Sequence, residues 1–208
     1  MPTLLANGGP VMWLILIAAA IAAVVFVERA LYCHRSQINS AEFLSGVRTV
    51  IKRGNVVEAI SICDATPGPV ARLVKAAILH RELGRDRVRE AVEEAGLIEV
   101  PRLEEKLNLL ATIAQISPLL GLFGTIIGFI NLFGHLQQAG LYAHIGGDDP
   151  NSLAAGVWKA LICSAGGIAV AIPAHAAYNY LVSRVNKIVL DMERAAAEIV
   201  NIVTENGK

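Results

Sequence analysis

The chain has no charged side chain from Met1 to Val27, from Leu107 to Gly147, or from Ala160 to Ser183. Each gap is longer than the roughly 20 apolar residues that span a hydrocarbon core about 30 Å thick, so three transmembrane helices are expected. Hydrophobic residues make up 54% of the 208-residue chain, too many and too clustered for a soluble domain of this size. Lys and Arg are missing ahead of the first apolar run, where a secretory signal peptide would need a basic segment. That run is therefore read as a retained helix. Cysteine is scarce, with only Cys33, Cys63 and Cys163, none of them on the outer side of the topology derived below. A disulfide framework is not expected, and three small, partly buried thiols are. Net charge is zero, which argues against a nucleic-acid partner. No phosphate loop, catalytic triad or cysteine–metal pattern is found. His135, His144, Asp148 and Asp149 share one loop, but no two have the spacing of ligands on a helix. The sequence thus predicts no catalytic residue, no cofactor and no metal.

The polar segment from Glu28 to Lys106 is of a different kind, with 13 Lys or Arg against 12 Asp or Glu. Its periodicity predicts short amphipathic helices over 40–52, 56–63, 69–83 and 85–95. Breaks are expected at Gly54-Asn55, Thr66-Pro67-Gly68 and Gly84. Pro101, at a favoured first-turn position, is expected to begin a new helix that runs unbroken into the second span. Asn151 or Ser152 is expected to cap the third span. Apolar positions at Val185, Ile188, Val189, Met192, Ile199 and Val200 carry helical periodicity on to about Glu205. The predicted layout is a short outer N-terminus at 1–9, a first span at 10–28 and an inner helical segment at 29–107. The second span follows at 108–133, an outer loop at 134–152, the third span at 153–181 and an inner helical tail at 182–208. The fold class is an all-α integral membrane protein.

Orientation follows from where basic residues flank the spans. Arg29 (beside Glu28) and Arg35 follow the first span, Arg102 and Lys106 precede the second, and Arg184 and Lys187 follow the third. The opposite ends have no Lys or Arg, so the positive-inside rule puts the N-terminus outside and the C-terminus in the cytoplasm.

The second span carries a stripe of small and hydroxyl residues. At 100° per residue, Ala114, Ser117, Gly121, Gly124, Thr125, Gly128 and Asn131 share about a third of its circumference. Between Leu119 and Ile130 everything off that stripe is Leu, Ile or Phe. The third span repeats the pattern with Gly156, Ala160, Cys163, Ser164, Gly167, Ala171 and Ala174. Small faces let membrane helices pack closely, and packing alone is one explanation. The other is that the two faces, repeated around an oligomer, line a central space. Thr125 and Ser164 are expected at one depth, about 5–6 Å to the outer side of the midplane. Their hydroxyls either support a polar path or bond the carbonyl a turn back. Lys159, the one charge within a span, is a functional candidate or a side chain that snorkels to the headgroups. Pro118 and Pro173 are expected to kink their helices. The first span has bulky residues all round and is expected to face lipid.

The runs PLLGLFGTIIGFINLF at 118–133 and GVWKALICSAGGIAVAIPAHAAYNY at 156–180 resemble the ExbB/TolQ/MotA family of proton-channel subunits. GGPVMWLILIAAAIAAVVFVERALY at 8–32 and PRLEEKLNLLATIAQISP at 101–118 are similar to short ExbB proteins. MotA-type members have four spans, so the likeness is to the ExbB/TolQ branch. The resemblance implies a homopentamer in the bacterial inner membrane, surrounded by membrane lipids. Its second and third spans would line a pore holding an ExbD- or TolR-like single-span dimer whose carboxylate carries the proton. Flow would energise a TonB- or TolA-like protein. By position, Thr125 and Ser164 match the family's polar pore residues, with Ser in place of the more usual Thr at 164. Lys159 stands where the family often has Glu. The function implied is ExbB-like energising of outer-membrane transport, with TolQ-like envelope maintenance as the alternative. A structural scaffold that only houses the partner is a reading of another class. A small-solute transporter fits poorly, since the broken helices and inverted repeats of such proteins are missing.

Overall fold

The computed structural model describes residues 9–36, 39–142 and 150–205, and within them the chain is helical with no strand. Among the described residues seven α-helices follow in order: α1 Gly9–Ser36, α2 Ser40–Lys52, α3 Val56–Ala65, α4 Pro69–Leu79, α5 Arg85–Glu104, α6 Leu107–Tyr142 and α7 Pro150–Glu205. A 3-10 turn, Arg81–Leu83, lies between α4 and α5. Three helical stretches are long and apolar enough to cross a membrane: α1, the stretch containing α6, and α7. This is the all-α, three-span membrane protein that the uncharged gaps predict.

The chain divides into two compact units. The first holds α1 through Val27, α6, and α7 through Asn179. Here α1 is buried along Val11, Ile15, Ala22 and Val25, a three- and four-residue spacing that places them on one face. Val11 lies against Gly124 and Met12 against Gly166. So α1 packs one face against α6 and α7 and leaves the rest of its bulky surface, expected to face lipid, exposed. The glycines and alanines of the other two helices leave room for one bulky α1 face. Trp13, Leu14, Ile17, Ile21, Val24 and Val27 remain exposed on the rest.

The second unit holds the end of α1, α2 to α5, and α7 from Tyr180. Its core centres on α4, where Val70, Ala71, Leu73, Val74, Ala77 and Ile78 are buried. The tail of α7 adds Leu181, Val185, Ile188, Met192, Ala195 and Ile199 at similar spacing. Local chemistry sets the joints. Asn39 and Asn55 cap α2 and α3 by accepting from the backbone N–H groups of Glu42 and Glu58, and each cap amide donates back to that glutamate's carboxylate. Gly54, Gly68 and Gly84 take φ of 78°, 133° and 92°, which L side chains rarely adopt, and each marks an expected break.

Three boundary expectations are corrected. The helix expected over 85–95 continues as α5 to Glu104, and Pro101 sits inside it rather than starting a new one. Proline there removes a single donor, to the Leu97 carbonyl, and Leu97 is exposed enough for water to replace it. The chain then breaks at Glu105–Lys106 instead of running on into α6, with Lys106 at φ 64°. Last, α7 starts at Pro150, so Asn151 and Ser152 lie within its first turn rather than ahead of it. His144, Asp148 and Asp149 lie outside the described residues, as does the side chain of His135.

Candidate functional site

In the membrane unit, α6 and α7 run past each other with their small faces in direct contact. A Cβ added at Gly167 would lie 2.5 Å from the Ser117 carbonyl oxygen and 2.8 Å from Gly121 Cα. One at Gly121 would lie 3.0 Å from the Cys163 carbonyl oxygen and 3.2 Å from Ser164 Cα. Gly124 meets Cys163 Cβ at 2.7 Å, Gly128 meets Ala160 Cβ at 2.9 Å, and Gly156 meets a Leu132 methyl at 2.5 Å by the same measure. As positions rise along α6 from 117 to 132, their partners on α7 fall from 167 to 156. The helices are therefore antiparallel, and hydrogen atoms stand where side chains would hold the backbones apart.

Both explanations of the stripe bear on this geometry. Gly121, Gly124, Gly156, Ala160 and Gly167 spend their small size on helix packing within one chain, and Gly128 does so against Ala160. Ser117 is buried at 1% exposure, its hydroxyl donating to the Ile113 carbonyl at 2.6 Å. Thr125 is 8% exposed and donates to the Leu122 carbonyl at 2.6 Å, three residues back. Both hydroxyls are thus satisfied within α6, and their oxygens keep lone pairs for a further donor. Ser164 is half-buried beside Gly121, whereas Asn131 and Lys159 are exposed. The contacts of Gly121 with Ser164 and of Gly124 with Cys163 put Thr125 and Ser164 within about one helical turn of each other in depth. Pro118 and Pro173 lie inside α6 and α7, and neither helix is interrupted there.

The polar unit carries the charges next to the first span. Arg29 is 4% exposed, with Nη1 donating to the Arg102 carbonyl at 3.2 Å and Nη2 2.9 Å from Glu105 Oε2. It therefore covers one of the last free carbonyls of α5, where a cation also suits the helix dipole. Arg184 donates from Nε to the Tyr180 hydroxyl at 3.1 Å and stacks over that ring. Glu28 is exposed. Glu99, buried, faces Arg72 at 2.6 Å and Arg102 at 3.0 Å. This buried carboxylate went unread in the sequence, because one acidic residue among many on a polar helix gives no periodic signal. Cys33, Cys63 and Cys163 are all buried and form no disulfide. Desolvation, reinforced by Asp64, pushes the Cys63 thiol from its ordinary 9.0 up to about 11.

Comparison with known proteins follows the same lines. Residues 65–194, more than half of the chain, match the family described as the MotA/TolQ/ExbB proton channel family. A biopolymer transport protein ExbB homolog of Methanothermobacter thermautotrophicus is 27% identical over 181 residues, 86% of this chain and 62% of that protein. The Tol-Pal system protein TolQ of Haemophilus influenzae is 39% identical over 108 residues, 50% of this chain and 43% of that one. The chain thus spans less than two thirds of the length of both relatives. The solved structure of C. jejuni MotAB superposes with a TM-score of 0.63 at 18% identity, covering 98% of this chain and 81% of that one, a likeness of fold.

Proposed function

The chain belongs to the MotA/TolQ/ExbB proton channel family, and from that premise we propose that it is the channel subunit of a proton-driven motor of the ExbB/TolQ type in the bacterial inner membrane. The observation that carries this reading is the uncharged antiparallel seam of α6 and α7. It brings hydroxyls from both helices to similar depth while leaving Asn131 and Lys159 exposed. Repeated around a homopentamer, the outer edge of this seam lines a pore that holds the spans of an ExbD- or TolR-like dimer. The oxygens of Thr125 and Ser164 then order water beside a carboxylate on that partner, while Ser117, at 1% exposure, is closed into the seam. Gly121, Gly124, Gly128, Gly156, Ala160 and Gly167 keep the two helices close enough for both hydroxyl rows to reach the same water. Pro118 and Pro173 bend the helices toward the partner. Glu28, Arg29 and Arg184 mark the inner membrane surface, with the N-terminus outside and the C-terminus in the cytoplasm. In this reading the chain has no catalytic centre.

One proton moving down about 100 mV releases about 2.3 kcal/mol, so a few protons suffice for a substantial displacement of the partner. The receiver of that work is a TonB-like protein serving outer-membrane transport. The identity with TolQ over half of the chain favours a second reading, in which the receiver is TolA-like and the task is envelope maintenance. The test uses the chain co-reconstituted in liposomes with the single-span protein that co-purifies with it. The double variant Thr125→Ala, Ser164→Ala should lower voltage-driven proton uptake several-fold while the complex still elutes intact. Uptake equal to that of the unmodified complex would refute the hydroxyl path.

A further inference from the structure

Next to the first span the polar unit opens a cleft of about 540 Å³. Arg29, Arg35 and Arg102 contribute guanidinium groups to its lining, against the carboxylates of Glu28 and Glu105. Tyr32 and Leu31 complete the wall, and Leu31 is exposed at 60%. The hydrogen bonds formed inside the cleft do not use all of its donors. Arg29 spends Nη1 on the Arg102 carbonyl and Nη2 on Glu105, yet its Nε is buried without a hydrogen-bond partner. That Nε is shielded by the protein itself, so the donors left for a ligand are on Arg35 and Arg102. Arg102 directs Nη1 to Glu99, and Arg35 is exposed.

Depth identifies the kind of acceptor. Counted from Pro10 at 1.5 Å per residue, about 30 Å of helix ends close to Arg29. The cleft therefore begins where the hydrocarbon core gives way to headgroups, and Leu31 offers an apolar surface beside the cations. We propose that this cleft binds the phosphate of an anionic phospholipid, with Arg35 and the remaining N–H groups of Arg102 as its donors and Leu31 against the glycerol and upper acyl chain. A fork of guanidinium N–H groups matches phosphate oxygens better than it matches water. The site shares no residue with the α6–α7 seam and does not depend on proton transport.

Native mass spectrometry of the full chain with equal phosphatidylglycerol and phosphatidylcholine tests this. The anionic lipid should be retained preferentially. Arg35→Gln, an exposed position that should leave the fold intact, should lower its retention about fivefold, the effect of one basic residue near an anionic surface. Arg89→Gln, a similarly exposed arginine that pairs with Glu93 and does not line the cleft, should retain the lipid as before. Equal retention of the two lipids, or unchanged retention in Arg35→Gln, would overturn the site. Inorganic phosphate distinguishes the source. If phosphate alone raised the melting temperature as much as phosphatidylglycerol does, the ligand would be a soluble phosphate and the lipid assignment would fall.

Discussion

Gly167→Ala is the sharpest test of how α6 and α7 meet. The new methyl would stand 2.5 Å from the Ser117 carbonyl oxygen, 2.8 Å from Gly121 Cα and 3.0 Å from Gly121 N. All three are backbone atoms, so no side chain can turn aside and the helices must separate by roughly 0.5–1 Å. A gap of that size forfeits a quarter to a half of each dispersion contact it opens. The contacts at risk include those of Gly124 with Cys163 and Gly128 with Ala160. Overpacking of this kind costs about 1–3 kcal/mol. Better helix propensity offsets up to about 1 kcal/mol, leaving a net loss of roughly 1–2 kcal/mol. For a chain of this length that lowers the melting temperature by about 2–8 °C. Thermal unfolding in mild detergent, followed by circular dichroism, reads the change. Two control variants bracket it. At Gly166 the methyl would meet only the Sδ and Cε of Met12, the far end of a flexible side chain, and at Gly134 nothing within 4 Å. Gly166→Ala and Gly134→Ala should therefore melt at or above the unmodified protein. If Gly167→Ala melted with them, the close seam would be refuted and the small stripe would need another purpose.

Two predictions concern the polar unit. Glu99→Gln keeps the shape of the buried side chain but removes the charge facing Arg72 and Arg102. Because those arginines are about half exposed, the expected loss is modest, about 1 kcal/mol, and is read as a fall of a few degrees in melting temperature. An unchanged melting temperature would mean that the ion pairs are idle. Cys63, with its thiol held near 11 in the folded chain, should resist maleimide at pH 8 until denaturant is added. The sign of its pH effect follows from that raised value. The folded protein keeps the proton longer than the unfolded chain, so the contribution is complete below about pH 9 and is lost as pH rises toward 11. Cys63→Ala should flatten the fall in stability across that window, and a fall equally steep in the variant would assign it to other groups.

How far the sequence carried the fold depends on which residues mark each feature. The breaks at Gly54, Gly68 and Gly84 were legible because a positive φ selects glycine, and turn glycines stand out between amphipathic runs. The Glu105–Lys106 break was not legible, because a lysine takes the left-handed conformation there and a lysine announces no turn. Pro101 misled for a related reason: proline is commonest in a first turn, but near a helix end it removes only one hydrogen bond. The small faces of α6 and α7 were plain from periodicity. Their use was not, since a stripe looks the same whether it packs or lines a pore. The antiparallel register that pairs Gly121 with Ser164 and Gly167 with Ser117 resolves the packing half of that question. The burial of α1 on Gly124 and Gly166 was hidden because Val11 and Met12 look no different from the lipid-facing residues around them.

The central claim is that the chain conducts protons together with a partner. Liposomes carrying the chain, its co-purified single-span partner, or both should be given an inward-negative potassium diffusion potential and an internal pH dye. Uptake well above the empty-liposome rate only when both proteins are present is the predicted result. Equal uptake by the partner alone would make this chain a scaffold, and no uptake by the complex would contradict the proton-channel account outright.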